Sequence, residues 1–434
     1  MGRAIVSAAL NGEWLLGLDL YTHLVFSISM DRRQRVTLLT EAAIPDREHG
    51  VPSVLNAPVS PVGVTTVRLP GGGTTRLMRV MQTNACSLSC GYCPTYCGGK
   101  VKRTALAPEE VASTFMDLHR RGTAQGLFLT SGVPGRPHRA MDRMLASAEM
   151  LRRRHGFRGY IHLKLLPGAE RAQVEAACAL ANRVSVNLEA PSDAHVRALS
   201  PEKDFAGDLL PALEAAGQYA LKARWDPLPG GVRSAGTTTQ FVVGAAGERD
   251  REILGLVARL EVQQLLHHAH FSAFQPVVGT PMEGARPTPP LRELRLYQAE
   301  HLLRQYGFRY DDLVFESDGN LALERDPKAA WALAHPEVFP VEIDRAPYEL
   351  LIRVPGIGPR AARTLVVERR RAVIRGVGDL RRLGVDPVRA ASLLTLRGRR
   401  LASSPAPEQL LLFPPGGHLT QAAFKTVVPP CAYR

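Results

Sequence analysis

Three cysteines, Cys86, Cys90 and Cys93, fall in the run Cys-Ser-Leu-Ser-Cys-Gly-Tyr-Cys. Thiolates are the usual ligands of iron–sulfur clusters, and four would close a cubane. A CxxxCxxC loop supplies three and leaves one iron with open coordination. Such a cluster suits binding and reducing a small molecule better than storing electrons. Zinc on the same loop would need a fourth ligand, and Cys97 is close enough in sequence to be one; the loop alone leaves that alternative open. Cys178 and Cys431 are scattered and no cysteine precedes Cys86, so neighbouring positions cannot build a second all-cysteine cluster.

With Tyr92 before the last cysteine, the loop resembles that of the radical S-adenosylmethionine superfamily. The resemblance implies a 4Fe–4S cluster held by Cys86, Cys90 and Cys93, whose open iron chelates the amino and carboxylate groups of S-adenosylmethionine. Reduction then cleaves the sulfonium to a 5′-deoxyadenosyl radical that abstracts hydrogen from a substrate. An electron donor such as flavodoxin or ferredoxin is implied as well.

The elements around this loop alternate. Short apolar runs occupy 77–83, 126–131, 159–165, 183–189, 238–244 and 269–275, with amphipathic stretches between most of them. The first stretch opens on Pro108 with Glu109 and Glu110 and closes on His119, Arg120, Arg121 and Gly122, which are helix start and stop signals. Six strand–helix alternations predict a parallel α/β fold. With the cysteine loop directly after the first strand, a six-stranded partial TIM-like (β/α)6 barrel is expected over residues 76–310, its ligands at the carboxyl ends of the strands. Residues 1–75 read as an N-terminal extension and linker, with a Pro/Gly-rich loop at 50–75.

Candidate site residues collect at those strand ends. Thr130, Ser131 and Gly132 follow the second strand; small residues with free backbone groups there match the superfamily segment that holds the amino group of S-adenosylmethionine. His162 and Lys164 are two apart on the third strand and share a face. A lysine pointing into a barrel wants an anionic partner; on an outward face both would be solvated. Asn187 and Glu189 end the fourth strand. Glu189 reads as an acceptor for ribose hydroxyls or as a helix-start carboxylate before Pro191. Gln240, a candidate substrate contact, lies in the fifth strand, whose end at Gly244 resembles the adenine-contacting segment.

The charge is uneven. The chain of 434 residues has 54 Lys and Arg against 41 Asp and Glu, a surplus of 13, which suggests a polyanionic partner. Residues 353–400 alone hold 13 Arg against Glu368, Asp379 and Asp386, a surplus of 10. Just before and within this stretch, 344–372 reads as two helices around a turn at Val354 to Pro359, the first capped by Asp344 and the second starting near Arg360. This resembles a helix-hairpin-helix motif. Gly356 and Gly358 bare the backbone, Ile357 anchors the turn, and Arg360 and Arg363 flank a phosphate-shaped site. A degenerate second copy is expected around Leu383-Gly384-Val385. A small all-α DNA-binding module is therefore expected over 344–400, after a connector at 311–343.

The tail, 401–434, is rich in Pro and Ser. Within it Gln409, Leu410, Leu412 and Phe413 resemble a sliding-clamp-binding peptide. Six cysteines without a disulfide framework fit a reducing cytoplasm. Polar residues interrupt the apolar patches of 4–29, so no membrane association is expected. Residues 76–400 together resemble the DNA modification/repair radical S-adenosylmethionine proteins linked to a uracil-DNA-glycosylase-like partner. The function implied is base modification or repair in DNA. The alternatives are a structured RNA such as tRNA, or a non-catalytic iron–sulfur DNA-binding protein.

Overall fold

In a computed structural model, residues 30–43, 63–68, 74–223 and 234–401 are described. Six parallel strands form the heart of the protein: β2 (Thr74–Met81), β3 (Gly126–Thr130), β4 (Tyr160–Leu165), β5 (Arg183–Glu189), β6 (Thr237–Val243) and β7 (His268–Ala273). They pair in sequence order. Their apolar runs carry little alternation because both faces are covered; all five residues of β3, Gly-Leu-Phe-Leu-Thr, are buried. Helices such as Pro108–Arg120, Pro137–Glu149 and Asp250–Val262 cover the outer face.

The expected six strands are present, but the sheet has seven. β1 (Val64–Arg68) pairs antiparallel with β2, Val64 opposite Met78. It falls where a loop was expected, and a helix at Arg32–Glu41 precedes it, capped by the Asp31 side chain. The linker region thus contributes to the barrel edge. Arg35 of that helix binds Glu110 at the start of the next one.

The C-terminal segment has its own core, including Leu351, Val354, Ile357, Ala362, Leu365 and Leu394. It is not all-α: β8 (Val341–Glu342), β9 (Leu394–Leu396) and β10 (Arg399–Arg400) form a small sheet. The first helix is one turn, Tyr348–Leu351, entered through Pro347 rather than capped by Asp344. The second runs from Pro359 to Glu368. Ile357 is fully buried between them. Around Gly384, helices Val377–Arg382 and Pro387–Ala390 repeat the arrangement.

The two hairpins pack on each other through their glycines. Gly356 has φ +86, and a Cβ there would stand 2.5 Å from the Asp386 carbonyl oxygen. That of Gly384, at φ +85, would stand 3.7 Å from the Ala361 Cβ. Lys328 ties the first hairpin to the connector: its Nζ donates to the Ile357 carbonyl at 2.6 Å and lies 4.7 Å from the Tyr306 ring. A Gly356→Val substitution meets both the positive φ and the backbone collision. It is expected to destabilise the C-terminal unit by roughly 2–4 kcal/mol, read as an earlier unfolding transition in chemical denaturation, whereas Gly384→Ala costs less.

Candidate active site

A cavity of about 660 Å³ opens at the carboxyl ends of the strands. Cys86, Cys90 and Cys93 all line it, together with Tyr92, Thr130, Ser131, Gly132, Lys164, Asn187, Glu189 and Gln240. The strand ends therefore bring together most of the residues singled out from sequence. Two stand apart. His162 lies below the floor, fully buried, its Nε2 2.9 Å from the Ser185 hydroxyl and its ring edge-on to Phe128. Gly244 turns the chain at φ +85 and donates its N–H to Glu248.

The cysteine loop is pinned from several directions. Ser87 N–H donates to the Val133 carbonyl, Gly91 N–H to that of Leu199, and Met282 N–H to that of Gly91. Arg103 donates to the carbonyls of Asn84, Thr95, Tyr96 and Gly99, and so fixes both ends of the loop. Gly132 lets β3 approach: a Cβ there would stand 2.2 Å from the Ala85 carbonyl oxygen and 3.3 Å from the Cys86 Cβ. The backbone groups expected to be free here are partly taken. Thr130 C=O accepts from Gln82 N–H and Gly132 N–H donates to Thr83, while the Ser131 hydroxyl donates to the Gly132 carbonyl.

The three sulfurs keep separate neighbours. Cys86 accepts from Val133 N–H at 3.5 Å, Cys90 lies 3.2 Å from the Ser200 hydroxyl, and Cys93 lies 3.2 Å from that of Thr95. Among the described residues no three His, Cys, Asp or Glu converge as ligands of one metal ion. A cubane asks for no such convergence, since each thiolate ligates a different iron. Burial pushes the thiols of Cys86 and Cys93 above the usual thiol range. Thiolate formation there needs a cationic partner, which ligated iron supplies. Cys97 is exposed on the loop, and Cys178 is a buried thiol pushed up to about 12 by desolvation.

Glu189 is the strained member of the site. It takes φ +64 at a break in the β5–β6 register, a backbone conformation uncommon outside glycine. It is not a helix-start carboxylate, because Ser192 caps the next helix. Its Oε1 accepts from Lys203 Nζ at 2.8 Å, with both side chains buried. Burial alone would discharge Lys203, but Glu189, Cys90 and Cys93 hold its pKa above the ordinary lysine value. Lys203 also reaches the Tyr92 hydroxyl at 3.3 Å, whose own pKa burial and Glu189 raise. Glu189 Oε2 is enclosed without a hydrogen-bond partner of ordinary geometry.

Glu293 is a wall residue that sequence reasoning missed. It sits in the first turn of helix Pro290–Gln305, where an acidic residue reads as a plain dipole partner. Its Oε2 accepts from Ala273 N–H at 2.7 Å and its Oε1 has no partner. Burial raises it to about 8, opposed only by the Ala273 N–H. Lys203 and Arg103 were missed too, since neither stands in a motif.

The fit to the implied groups is good. Three thiols share one loop beside a cavity of ligand size, and the Glu189 carboxylate lines that cavity with them. Residues 80–258 match the family model described as the radical SAM superfamily. The cofactors of that superfamily are a 4Fe–4S cluster and S-adenosylmethionine. Among solved structures, methylornithine synthase (PylB) is similar at 19% identity and TM-score 0.41, covering 52% of this chain and 61% of that one. The [FeFe]-hydrogenase maturase HydG from Carboxydothermus hydrogenoformans is similar at 14% identity and TM-score 0.41, covering 52% and 51%. A second HydG structure gives 12% identity and TM-score 0.42, covering 67% and 65%. This chain thus spans less than two thirds of each. No match is found among curated protein sequences, and no helix among the described residues is long and apolar enough to cross a membrane.

The pH dependence of stability follows from Glu293. Its pKa rises from 4.5 unfolded to about 8 folded, so the folded state holds the proton more tightly. That stabilisation is complete below about pH 4.5 and is lost as pH rises through about 8. Glu293→Gln lacks this dependence. Its melting temperature relative to wild type is expected to rise between pH 5 and pH 8 by on the order of a few degrees, then level off; a constant difference would contradict the assignment.

Proposed function

We propose that the protein is a radical S-adenosylmethionine enzyme that modifies or repairs a base in DNA. The observation that carries the substrate half is the double hairpin with its arginines. Of the 13 Arg in 353–400, ten are exposed. The other three are structural: Arg353 pairs with Asp312 between the Phe308 and Trp331 rings, Arg369 donates to Ile343 and Ala346, and Arg389 binds Asp326. Exposed Arg360 and Arg363 beside the Gly356–Ile357–Gly358 turn suit a phosphate backbone, which is held without reading sequence.

When bound, the cluster and S-adenosylmethionine supply a 5′-deoxyadenosyl radical that abstracts hydrogen from the substrate. Cys86, Cys90 and Cys93 would hold the cluster. Glu189 would accept from the ribose hydroxyls, Lys203 orients that carboxylate through its 2.8 Å contact to Oε1, and Tyr92 lies beside Lys203. Asn187 and the turn Thr130–Gly132 border the nucleoside, and Lys164 takes an anionic group. A base inside a duplex cannot reach such a cavity, so it enters flipped out or from single-stranded DNA.

The hairpin and the cavity sit at opposite ends of one helix. Pro290 lines the cavity, and the Tyr306 hydroxyl lies 3.5 Å from where a Gly358 Cβ would stand. The 16 residues between span about 24 Å at 1.5 Å each, or roughly seven nucleotides at 3.4 Å. The reacting base therefore lies several nucleotides from the phosphates held at the hairpin. A uracil-DNA-glycosylase-like protein and an electron donor such as flavodoxin or ferredoxin are proposed partners. The clamp peptide at 409–413 lies outside the described residues.

Two measurements check this reading. Anaerobic wild-type protein is expected to hold about four irons and Cys90→Ala to lose them; full iron in the variant contradicts the cluster assignment. In DNA titrations, Arg360→Ala and Arg363→Ala should each make the slope of log K against log salt shallower by about 0.9 with iron unchanged. Unaltered slopes, or tRNA displacing DNA at equal concentration, would move the substrate away from DNA.

A further inference from the structure

The cavity has two electrostatic sides. Lys203, Lys164 and the cysteines belong to the β2–β5 side. On the β6–β7 side the polar groups are Gln240, Ser272, Gln275 and Glu293, among Val242, Phe274, Val277 and Pro290. Gln240 Nε2 donates to the Ser272 hydroxyl at 3.1 Å, and its Oε1 lies 3.5 Å from Asn187 Nδ2. Glu293 is 6% exposed, and its Oε1 is enclosed without a partner.

An ionised ligand finds no counter-charge on this side, and an unpaired charge buried there would be costly. The raised pKa of Glu293 makes it a carboxylic acid at neutral pH, so it can donate as well as accept. Gln240, Ser272 and this acid line the same cavity and offer both donors and acceptors, among apolar residues that suit the faces of a ring. A phosphate or a zwitterionic amino acid has neither match.

We propose that the β6–β7 side of the cavity receives an uncharged nucleobase, with Gln240, Ser272 and Glu293 Oε1 as its hydrogen-bonding edge. The inference rests on the DNA reading above and names what that site binds. Glu293 fixes the base and is a positioning residue in the radical step.

The test uses full-length, cluster-loaded protein with S-adenosylmethionine and a single-stranded DNA 20-mer carrying one central 2-aminopurine and a terminal dye. Dye anisotropy reads total DNA binding, and 2-aminopurine fluorescence reads capture of an unstacked base. Glu293→Gln, which keeps a donor and an acceptor, is expected to leave both within about twofold. Glu293→Leu is expected to lower the base signal about tenfold or more while total affinity changes less than about threefold. Should that variant fold poorly or lose iron, Gln240→Leu carries the same expectation. An unchanged base signal with intact DNA binding overturns this inference alone, as does a loss confined to S-adenosylmethionine affinity. Absence of DNA binding by the wild-type protein overturns the DNA reading and this inference with it.

Discussion

The buried ion pair between Lys203 and Glu189 is the contact on which the site depends. With side-chain exposures of 7% and 5%, removal of either partner would strand the other charge, at a cost of roughly 3–5 kcal/mol. The pair also sustains Glu189 in its left-handed conformation, where strain of about 1–3 kcal/mol has to be overcome by surrounding contacts. Lys203 then supports Tyr92, and the segment before it supplies the Leu199 carbonyl to Gly91 and the Ser200 hydroxyl to Cys90. The cysteine loop after β2 is thus placed by the segment that follows β5, three strands away in the sheet. Oε1 is committed to Lys203, and Tyr92 packs beside the same carboxylate at the cavity wall.

Below the cavity the barrel is polar as well. Arg79, His162, Ser185, Thr238 and His270 are buried inside the sheet. Arg79 reaches Thr65 on β1 at 3.0 Å and stacks over Phe128, which packs against His162. The extra antiparallel strand therefore completes the floor: without Thr65, the Arg79 guanidinium would lose a partner inside the protein. Residues that sequence periodicity puts on one face need not share a role. His162 and Lys164 both point inward, but the lower one closes the floor and only the upper one meets the cavity.

Legibility from sequence followed the physics of each feature. Strands buried on both faces announce themselves as continuous apolar runs, and 183–189 coincides with β5 at both ends. The thiol spacing is equally local. β1 stayed hidden because five residues between a proline-rich stretch and a glycine run give too little pattern to separate strand from loop. Asp344 looked like a cap, yet Pro347 fixes the helix entry three residues later. Lys203 and Glu293 were illegible for a different reason: each matters through a partner on another element, while Arg103 binds backbone carbonyls of the nearby loop, which leave no side-chain pattern to read. Gly356 and Gly384 were legible as turn residues because a positive φ is a local demand of the chain.

Helix Pro290–Gln305 joins the two halves of the molecule, and its rigidity has identifiable causes. Arg295, fully buried, donates twice to the Leu323 carbonyl, while Glu300 binds His268 at 2.7 Å and Arg304 at 3.0 Å. These anchors sit between Glu293 at one end and Tyr306 at the other, so the helix cannot slide or tilt without breaking buried polar contacts. Lys328, buried with its pKa pressed well below the ordinary lysine value by desolvation and Arg389, adds a bond to the Ile357 carbonyl at the hairpin. A backbone held at the hairpin is then at a fixed distance from the cavity. If the proposed DNA reading holds, neither end can adjust, and accommodation of a bound strand would fall to the nucleic acid, whose backbone can bend and unstack.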